Sequence, residues 1–429
     1  MNETPASSVK VTRLTIVFLV MTVVLDSMGI GIIIPVTPAL LTDVLPGASL
    51  AEAAIWGGLL ASIYAAMQFV FGPILGSLSD RIGRKPILLV SLVVMAFYYL
   101  AMGFAQTIWL LFVARIIGGI TSATQPTASA YMADISKPSE KAARFGLLGA
   151  GFGMGFVLGP VLGGFLGEWG PRAPFFAAAA LAALNFFAAA ALAALNAVMG
   201  IIILPESVTD NIRSNFNWRR ANPFGALKTV AGFPGLRMFL TVTLLYGIAT
   251  SVYAAIWPFF TVERFDWSPG MIGVSLTIYG VFFAIVQGGL VRPAIARFGE
   301  TKTVIIGFCF ELLAMIMLAL VTNGILLLFL IPVASLGVIG QPALQSIMSQ
   351  ATPNDTQGTL QGVLGSLHSI SMVITPLTMT FVFSVFTAPT APFYFPGAPF
   401  ICSAVLIALC LIIFLRRSAQ PVAPNTASE

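Results

Sequence analysis

The stretch FGPILGSLSDRIGRKPILL, residues 71–89, sets one short charged turn between two apolar runs. Its charges are Asp80, Arg81, Arg84 and Lys85, and Gly76 and Gly83 permit close approach or a tight turn. The flanking runs, 54–76 and 86–106, each cross a hydrocarbon core of about 30 Å at about 1.5 Å per helical residue. The stretch reads as the turn of a membrane hairpin.

The same pattern continues in both directions. The chain is 58% hydrophobic and 9% charged, with mean hydropathy +0.96; a soluble domain is about a quarter charged. Apolar runs at 14–41, 54–76, 86–106, 108–133, 145–167, 174–204, 238–260, 269–292, 302–321, 324–350, 358–384 and 397–415 predict an all-α integral membrane protein of twelve transmembrane helices. The first run carries Asp26 and two prolines and lacks a small-residue cleavage site, so it is expected to stay as a span. With the N-terminus inside, all of the 21 Lys and Arg except Arg115, Arg172 and Arg264 fall on cytoplasmic segments. The positive-inside rule then puts both termini in the cytoplasm and accounts for the net charge of +5 without a nucleic-acid partner.

The organisation is expected to be two six-helix halves, 1–205 and 238–417. A basic cytoplasmic linker, 206–237, joins them, and a disordered tail, 418–429, follows. DRIGRKPILLVS (80–91) follows span 2 and ARFGETKTVIIG (296–307) follows span 8, with Gly83 and Gly299 separated by 216 residues. Paired six-span halves are a transporter architecture, with the substrate site expected near mid-membrane between them.

Three strings carry a family resemblance. FGPILGSLSDRIGRKPILL resembles the G-x-L-[AS]-D-R-x-G-R-[KR] signature of the major facilitator superfamily. ARIIGGITSA (114–123) places Arg115 in span 4 with Gly119 four residues on. GMGFVLGPVLGG (153–164), with Gly155, Gly159, Pro160, Gly163 and Gly164, is similar to the G-x-x-x-G-P-x-x-G-G pattern of that superfamily's drug/proton antiporters. Small residues spaced by four also serve plain helix packing. LDSMGIGIIIPVTPAL (25–40), YMADI (131–135), LPES (204–207) and IGQPALQSIMS (339–349) look like their counterparts in the tetracycline efflux proteins. The resemblance covers nearly the whole chain. It implies a monomeric exporter in the bacterial inner membrane that moves a drug out as protons move in. By the same resemblance, Gly76, Asp80, Arg81, Gly83, Arg84, Lys85 and Asp134 belong to a network that latches the inner face shut in one state.

Asp26 and Glu311 are the two acids placed well inside spans. A mid-bilayer carboxylate is costly unless paired, solvated or protonated, which suits a proton carrier. Asp26 is expected to hold the exchanged proton or the cationic substrate in alternation; a fixed pair with Arg115 is the structural alternative. Arg115, the only mid-span base, is expected to couple to Asp26 or to pair helices. Glu311 stands where the family has an acid and is expected to bind proton or substrate. Gln68 and Gln287 match family positions and hydrogen-bond either substrate or a neighbouring helix. His368, the one histidine, reads as a helix contact. Tyr98 and Phe283 stand where tetracycline efflux proteins have an acid and a histidine, a change that favours a more apolar, cationic or aromatic drug.

FFAAAALAALN occurs at 175–185 and again at 186–196. Between Pro174 and Pro205 the helix would run about 45 Å; without one copy it would run about 28 Å, which fits the membrane. Eleven residues make three turns plus about 20°, so the insert shifts the helix lengthwise with little rotation. One copy is expected to protrude beyond a membrane face, or the helix to break near Asn185. The block has no charge and no metal ligand, so transport is expected not to need it twice; perfect identity marks a recent tandem duplication or an assembly artefact.

The three cysteines form no metal or disulfide spacing, no HExxH or CxxC is present, and no GxxxxGK[ST] precedes a helix. No metal, no cofactor and no enzymatic activity are expected. The leading expectation is proton-coupled efflux of a drug, with tetracycline first among candidates. A multidrug exporter of lipophilic compounds and a metabolite transporter of the same superfamily are the alternatives within transport. A membrane enzyme or a receptor without transport is the rival class.

Overall fold

A computed structural model describes residues 13–122, 124–137, 139–184, 236–352 and 356–418. The second FFAAAALAALN copy, residues 206–235 of the linker and residues 419–429 of the tail lie outside the described residues. Every regular element among the described residues is helical. Among the described residues, eleven helical runs are long and apolar enough to cross a membrane, and a shorter apolar helix, Ala173–Leu184, stands where the sixth span begins. The chain divides into two compact units, Met1–Gly225 with Pro258–Gly280, and Ala226–Trp257 with Val281–Glu429.

In the first unit, α1 (Arg13–Ile33) passes through a 3₁₀ turn, Ile34–Val36, into α2 (Thr37–Val44). Pro35 and Pro38 enforce that change of winding by removing backbone donors. α3 (Leu50–Ile82) is 33 residues long and overruns the expected 54–76 at both ends. Its start is fixed by a capping box between Ser49 and Glu52, and its end by Gly83. Gly83 has φ +112°, a conformation that side chains disfavour. The backbone turns there directly into α4 (Arg84–Phe104), so the quoted stretch is a hairpin with a single-residue hinge. α5 (Ile108–Thr121) and α6 (Thr124–Asp134) form one span broken at Ser122. α7 (Lys141–Gly167) and α8 (Ala173–Leu184) follow.

Small residues let these helices touch, which matters in lipid because burial of apolar surface drives little association there. Gly151, Gly155, Gly159 and Gly163 recur every four residues along α7 and meet α1 at Val20, Val24, Met28, Gly31 and Ile32. A Cβ at Gly155 would collide with Ser27 and the Val24 carbonyl, and one at Gly163 with the Ile32 carbonyl. Gly164 meets Pro269 and Gly273 of the segment Pro258–Gly280. A core of Phe18, Leu19, Val23, Leu88, Leu92, Tyr131, Met132 and Leu148 joins α1, α4, α6 and α7.

The second unit runs α9 (Arg237–Thr250), α10 (Val252–Phe265, its first turns), α11 (Pro269–Ile285, its end), a π turn Val286–Leu290, α12 (Val291–Phe298), α13 (Glu300–Leu320), α14 (Gly324–Ser335), a 3₁₀ turn Leu336–Ile339, α15 (Gly340–Gln350), α16 (Gln357–Thr387) and α17 (Ala398–Ser418). α13 packs on α17, α15 and the 3₁₀ turn. The core holds Leu240, Tyr246, Phe308, Leu344, Leu367, Ile407 and Phe414, with Tyr246 stacked on Phe308 at 5.0 Å.

A spacing of 216 residues relates elements of the two units. It carries α4 onto α13, both 21 residues long, and α6 onto α15, both 11 residues long. Thr107 and Asn323, at the same spacing, accept the first amide bonds of α5 and α14. Gly299, with φ +77°, opens α13 as Gly83 opens α4. Both units leave large apolar side chains exposed, Trp109 at 69% and Phe329 at 73% among them; in a bilayer such faces meet lipid tails.

Candidate functional site

Asp26 lies mid-helix in α1, on the helix that the α7 glycines approach most closely. Its Oδ1 is buried and makes no hydrogen bond, and no ion pair joins it to Arg115. Tyr64 of α3 and Tyr99 of α4 lie within electrostatic reach of both Asp26 and Arg115. Arg115 of α5 sets its guanidinium 5.6 Å from the Tyr64 ring centre, and its Nε has no hydrogen-bond partner. Tyr64 Oη donates to Ser122 Oγ at 3.0 Å, and Gln68 Nε2 donates to the same oxygen at 3.1 Å. Gln68 thus makes an interhelical bond, at the break between α5 and α6.

Tyr98 is 6% exposed, packed on Gly118 and 5.0 Å from the Tyr99 ring. Gly29 of α1 leaves room for the Tyr99 hydroxyl, where a Cβ would collide. The first unit therefore gathers Asp26, Tyr64, Tyr98, Tyr99, Arg115, Ser122 and Gln68 from α1, α3, α4 and α5. Tyr64, Tyr99 and Ser122 were not singled out from the sequence. Tyr64 stands four residues before Gln68, one turn away on the same face, which is a signal that could have found it.

At the α3–α4 turn Arg84 is the centre of the charge network. Its Nη1 lies 2.5 Å from Asp80 Oδ1 and donates to Ser79 Oγ at 2.6 Å, and its Nε lies 3.1 Å from Asp134 Oδ2 at the end of α6. Ser79 Oγ in turn donates to the Gly76 carbonyl at 2.7 Å. Arg144 pairs with Glu140 at 2.8 Å and donates to the Ile135 carbonyl at 2.9 Å. Arg81 is exposed and Lys85 half-buried. Gly76 faces open space. On the other side of the same unit, Arg172 joins Asp43 at 2.6 Å and the carbonyls of Gly103 and Ala105. That clamp has no sequence signature.

In the second unit, Glu311 is 2% exposed, and its Oε1 accepts the Tyr253 hydroxyl at 3.0 Å. Gln287 lies in the π turn, half-buried, beside Gly288 and Gly289, both of which face open space. Phe283 is 39% exposed on α11 and His368 is exposed on α16. At the head of α13, Glu300 Oε1 accepts from Ser346 Oγ at 2.5 Å and Gln350 Nε2 at 2.6 Å. At the spacing of 216 this is the Arg84–Asp134 link with reversed polarity, acid first and donor second. Among the described residues no group of three His, Cys, Asp or Glu could hold a metal ion.

The sequence matches the family described as Major Facilitator Superfamily over residues 19–250 and 238–429. It is 37% identical to the class C tetracycline resistance protein of Escherichia coli over 405 residues, 94% of this chain and 97% of that protein. It is 34% identical to the class H tetracycline resistance protein of Pasteurella multocida, covering 95% of this chain and 98% of that protein. The crystal structure of nucleoside transporter NupG superposes with TM-score 0.75 at 11% identity, covering 95% of this chain and 100% of that one. That of a human organic anion transporter gives 0.66 at 22% identity, covering 94% of this chain and 99% of that one. A helical multi-pass membrane protein with these relatives along its whole length is a transporter and not an enzyme: the chain belongs to the Major Facilitator Superfamily.

Proposed function

We propose that the chain exports a drug, with tetracycline the leading substrate, in exchange for protons by alternating access in the bacterial inner membrane. Both termini would face the cytoplasm, and the working unit would be a monomer of two six-helix halves, 1–205 and 238–417, joined by the linker 206–237. The reading rests on Asp26, a carboxylate in the middle of a membrane helix whose buried Oδ1 makes no hydrogen bond. An intramembrane acid left in that condition is available to a proton or to a cationic group. The drug class is supported by relatives named tetracycline resistance proteins at 33–37% identity.

In this reading Asp26, Arg115 and Glu311 couple protons, and Gln68, Gln287, Tyr98 and Phe283 serve the substrate. The Arg84 network and the α7 glycines give the first unit well-defined contacts whose breakage can separate two states. A second reading, export of lipophilic compounds other than tetracycline, is favoured by the aromatic side chains at Tyr98 and Phe283. The test is a drug challenge in a pump-deficient bacterial host comparing this chain with Asp26→Asn, using tetracycline and several lipophilic cations. Tetracycline protection lost in Asp26→Asn at equal membrane expression supports the reading. Full protection in Asp26→Asn refutes the role of Asp26, and protection against other compounds alone moves the substrate.

A further inference from the structure

Glu311 touches two helix breaks. Tyr253 stands in the first turn of α10, two residues after Ser251, where α9 stops and α10 begins. Its hydroxyl donates to Glu311 Oε1 at 3.0 Å. The other carboxylate oxygen faces Gly337 in the 3₁₀ turn Leu336–Ile339, so close that a Cβ there would collide with Glu311 Oε2. Gly307, one turn before Glu311 on the same face of α13, presses on that turn too, with Gly340 Cα 2.6 Å from where its Cβ would stand. The unbroken α13 thus holds its acid between a break on one side and a 3₁₀ turn on the other. Changes of winding inside a span are where a helix bends most easily.

The titratable and charged groups around Glu311 are few. Cys402, Cys410, Arg416 and Arg417 lie on α17, Arg292 and Arg297 on α12, Arg237 and Tyr246 on α9, and, besides Tyr253, Glu263 and Arg264 at the far end of α10; α14, the 3₁₀ turn and α15 contribute none. Among the described residues Glu311 bonds to none of these and makes no ion pair, and Tyr253 is its one hydrogen-bonding partner. Adding or removing a charge at a site 2% exposed, with a single neutral donor, requires its surroundings to move. The surroundings able to move are the two breaks.

We propose that Tyr253 and Gly337 are positioning residues that make Glu311 a charge-sensitive pin: gain or loss of its proton resets the Ser251 break through Tyr253 and the Leu336–Ile339 turn through Gly337. The proposal rests on the reading of Glu311 as a proton-coupling group. Tyr253 acts through Glu311 and has no need to touch substrate. Loss of its hydroxyl uncouples α10 while leaving the ring, which sits 6.3 Å from Phe400, in place.

The test is amide hydrogen exchange of the full chain in lipid nanodiscs between pH 5.5 and 8.5, corrected for the intrinsic exchange rate. The chain is compared with Glu311→Gln and Tyr253→Phe. Protection at residues 248–256 and 334–341 is expected to change at least about threefold across that range. Glu311→Gln is expected to abolish the change at both segments. Tyr253→Phe is expected to shrink it at 248–256 and keep it at 334–341, a split that general loosening would not produce. A pH response that persists in Glu311→Gln, one that is absent in the parent chain, or equal loss at both segments in Tyr253→Phe overturns the proposal. Tetracycline-driven proton movement in proteoliposomes of the parent chain is measured in parallel. Its absence beside the expected exchange pattern defeats the proposed function alone; its presence without that pattern defeats the pin alone.

Discussion

Replacing Arg84 by Lys keeps a positive charge at the head of α4 and removes the planar fork. The guanidinium reaches Asp80 at 2.5 Å, Ser79 at 2.6 Å and Asp134 at 3.1 Å; an ammonium on one stem cannot hold all three in that geometry. The bond to Asp80 is an i,i+4 pair whose carboxylate side chain is 39% exposed, so screening leaves it about 0.3–0.5 kcal/mol. The bond to Asp134 joins side chains 11% and 15% exposed. A hydrogen bond between charged groups contributes about 1.5–3 kcal/mol there. Arg84→Lys is therefore expected to lose about 2 kcal/mol, or roughly thirtyfold in the folding equilibrium. Arg84→Ala, which takes the cation away from a largely buried Asp134, is expected to lose about 3–5 kcal/mol. On the scale of soluble domains of 150–250 residues, the Lys variant should melt about 4–8 °C lower. The assay is thermal unfolding in one detergent followed by tryptophan fluorescence, which among the described residues reports on Trp56, Trp109, Trp169 and Trp267 of the first unit and on Trp257 of the second. Melting of Arg84→Lys within about 1 °C of the parent chain, or Arg84→Ala melting above Arg84→Lys, refutes the assignment of Arg84 as the centre of the network.

The glycine stripe predicts an ordered contrast along α7. Gly155→Ala, Gly159→Ala and Gly163→Ala should each destabilise by about 1–3 kcal/mol through collision with the α1 backbone. Gly149→Ala and Gly153→Ala, which face open space, should be neutral or gain up to about 1 kcal/mol; equal effects at all five, read by melting, would contradict the packing. Arg172→Ala should open the Asp43, Gly103 and Ala105 clamp, raising labelling by a membrane-impermeant thiol reagent at a cysteine placed at Ala105 several-fold; unchanged labelling would argue against the clamp. Deleting residues 186–196 should preserve or improve drug protection at equal expression, and a large loss would show that the second copy is needed.

The membrane class, most span positions and the Arg84 turn were legible because each depends on local sequence. Hydrophobic length must match a bilayer, and a glycine at the α3–α4 junction permits a backbone that other residues disfavour. The acids at 26 and 311 were legible because charge is rare in apolar runs. Where these charges point was not legible, because it depends on which helices are neighbours. Arg115 could have paired with Asp26; the fold turns it toward Tyr64 and leaves Asp26 Oδ1 without a hydrogen bond. Asp134 could have been matched to any of several nearby bases; the α3–α4 hinge delivers Arg84 to it and leaves Arg144 to Glu140.

The sequence by itself determined that this chain is a multi-span helical protein with a repeated turn. Composition, run length and motif spacing are properties of the chain before it packs. Only the tertiary structure decided that the α7 glycines serve contact with the helix bearing Asp26, that Gln68 bonds to Ser122, and that Glu311 lies against two helix breaks. Those facts depend on residues far apart in the chain, Gly155 and Ser27, Gln68 and Ser122, Glu311 and Tyr253 among them, being brought into contact, which no local pattern encodes.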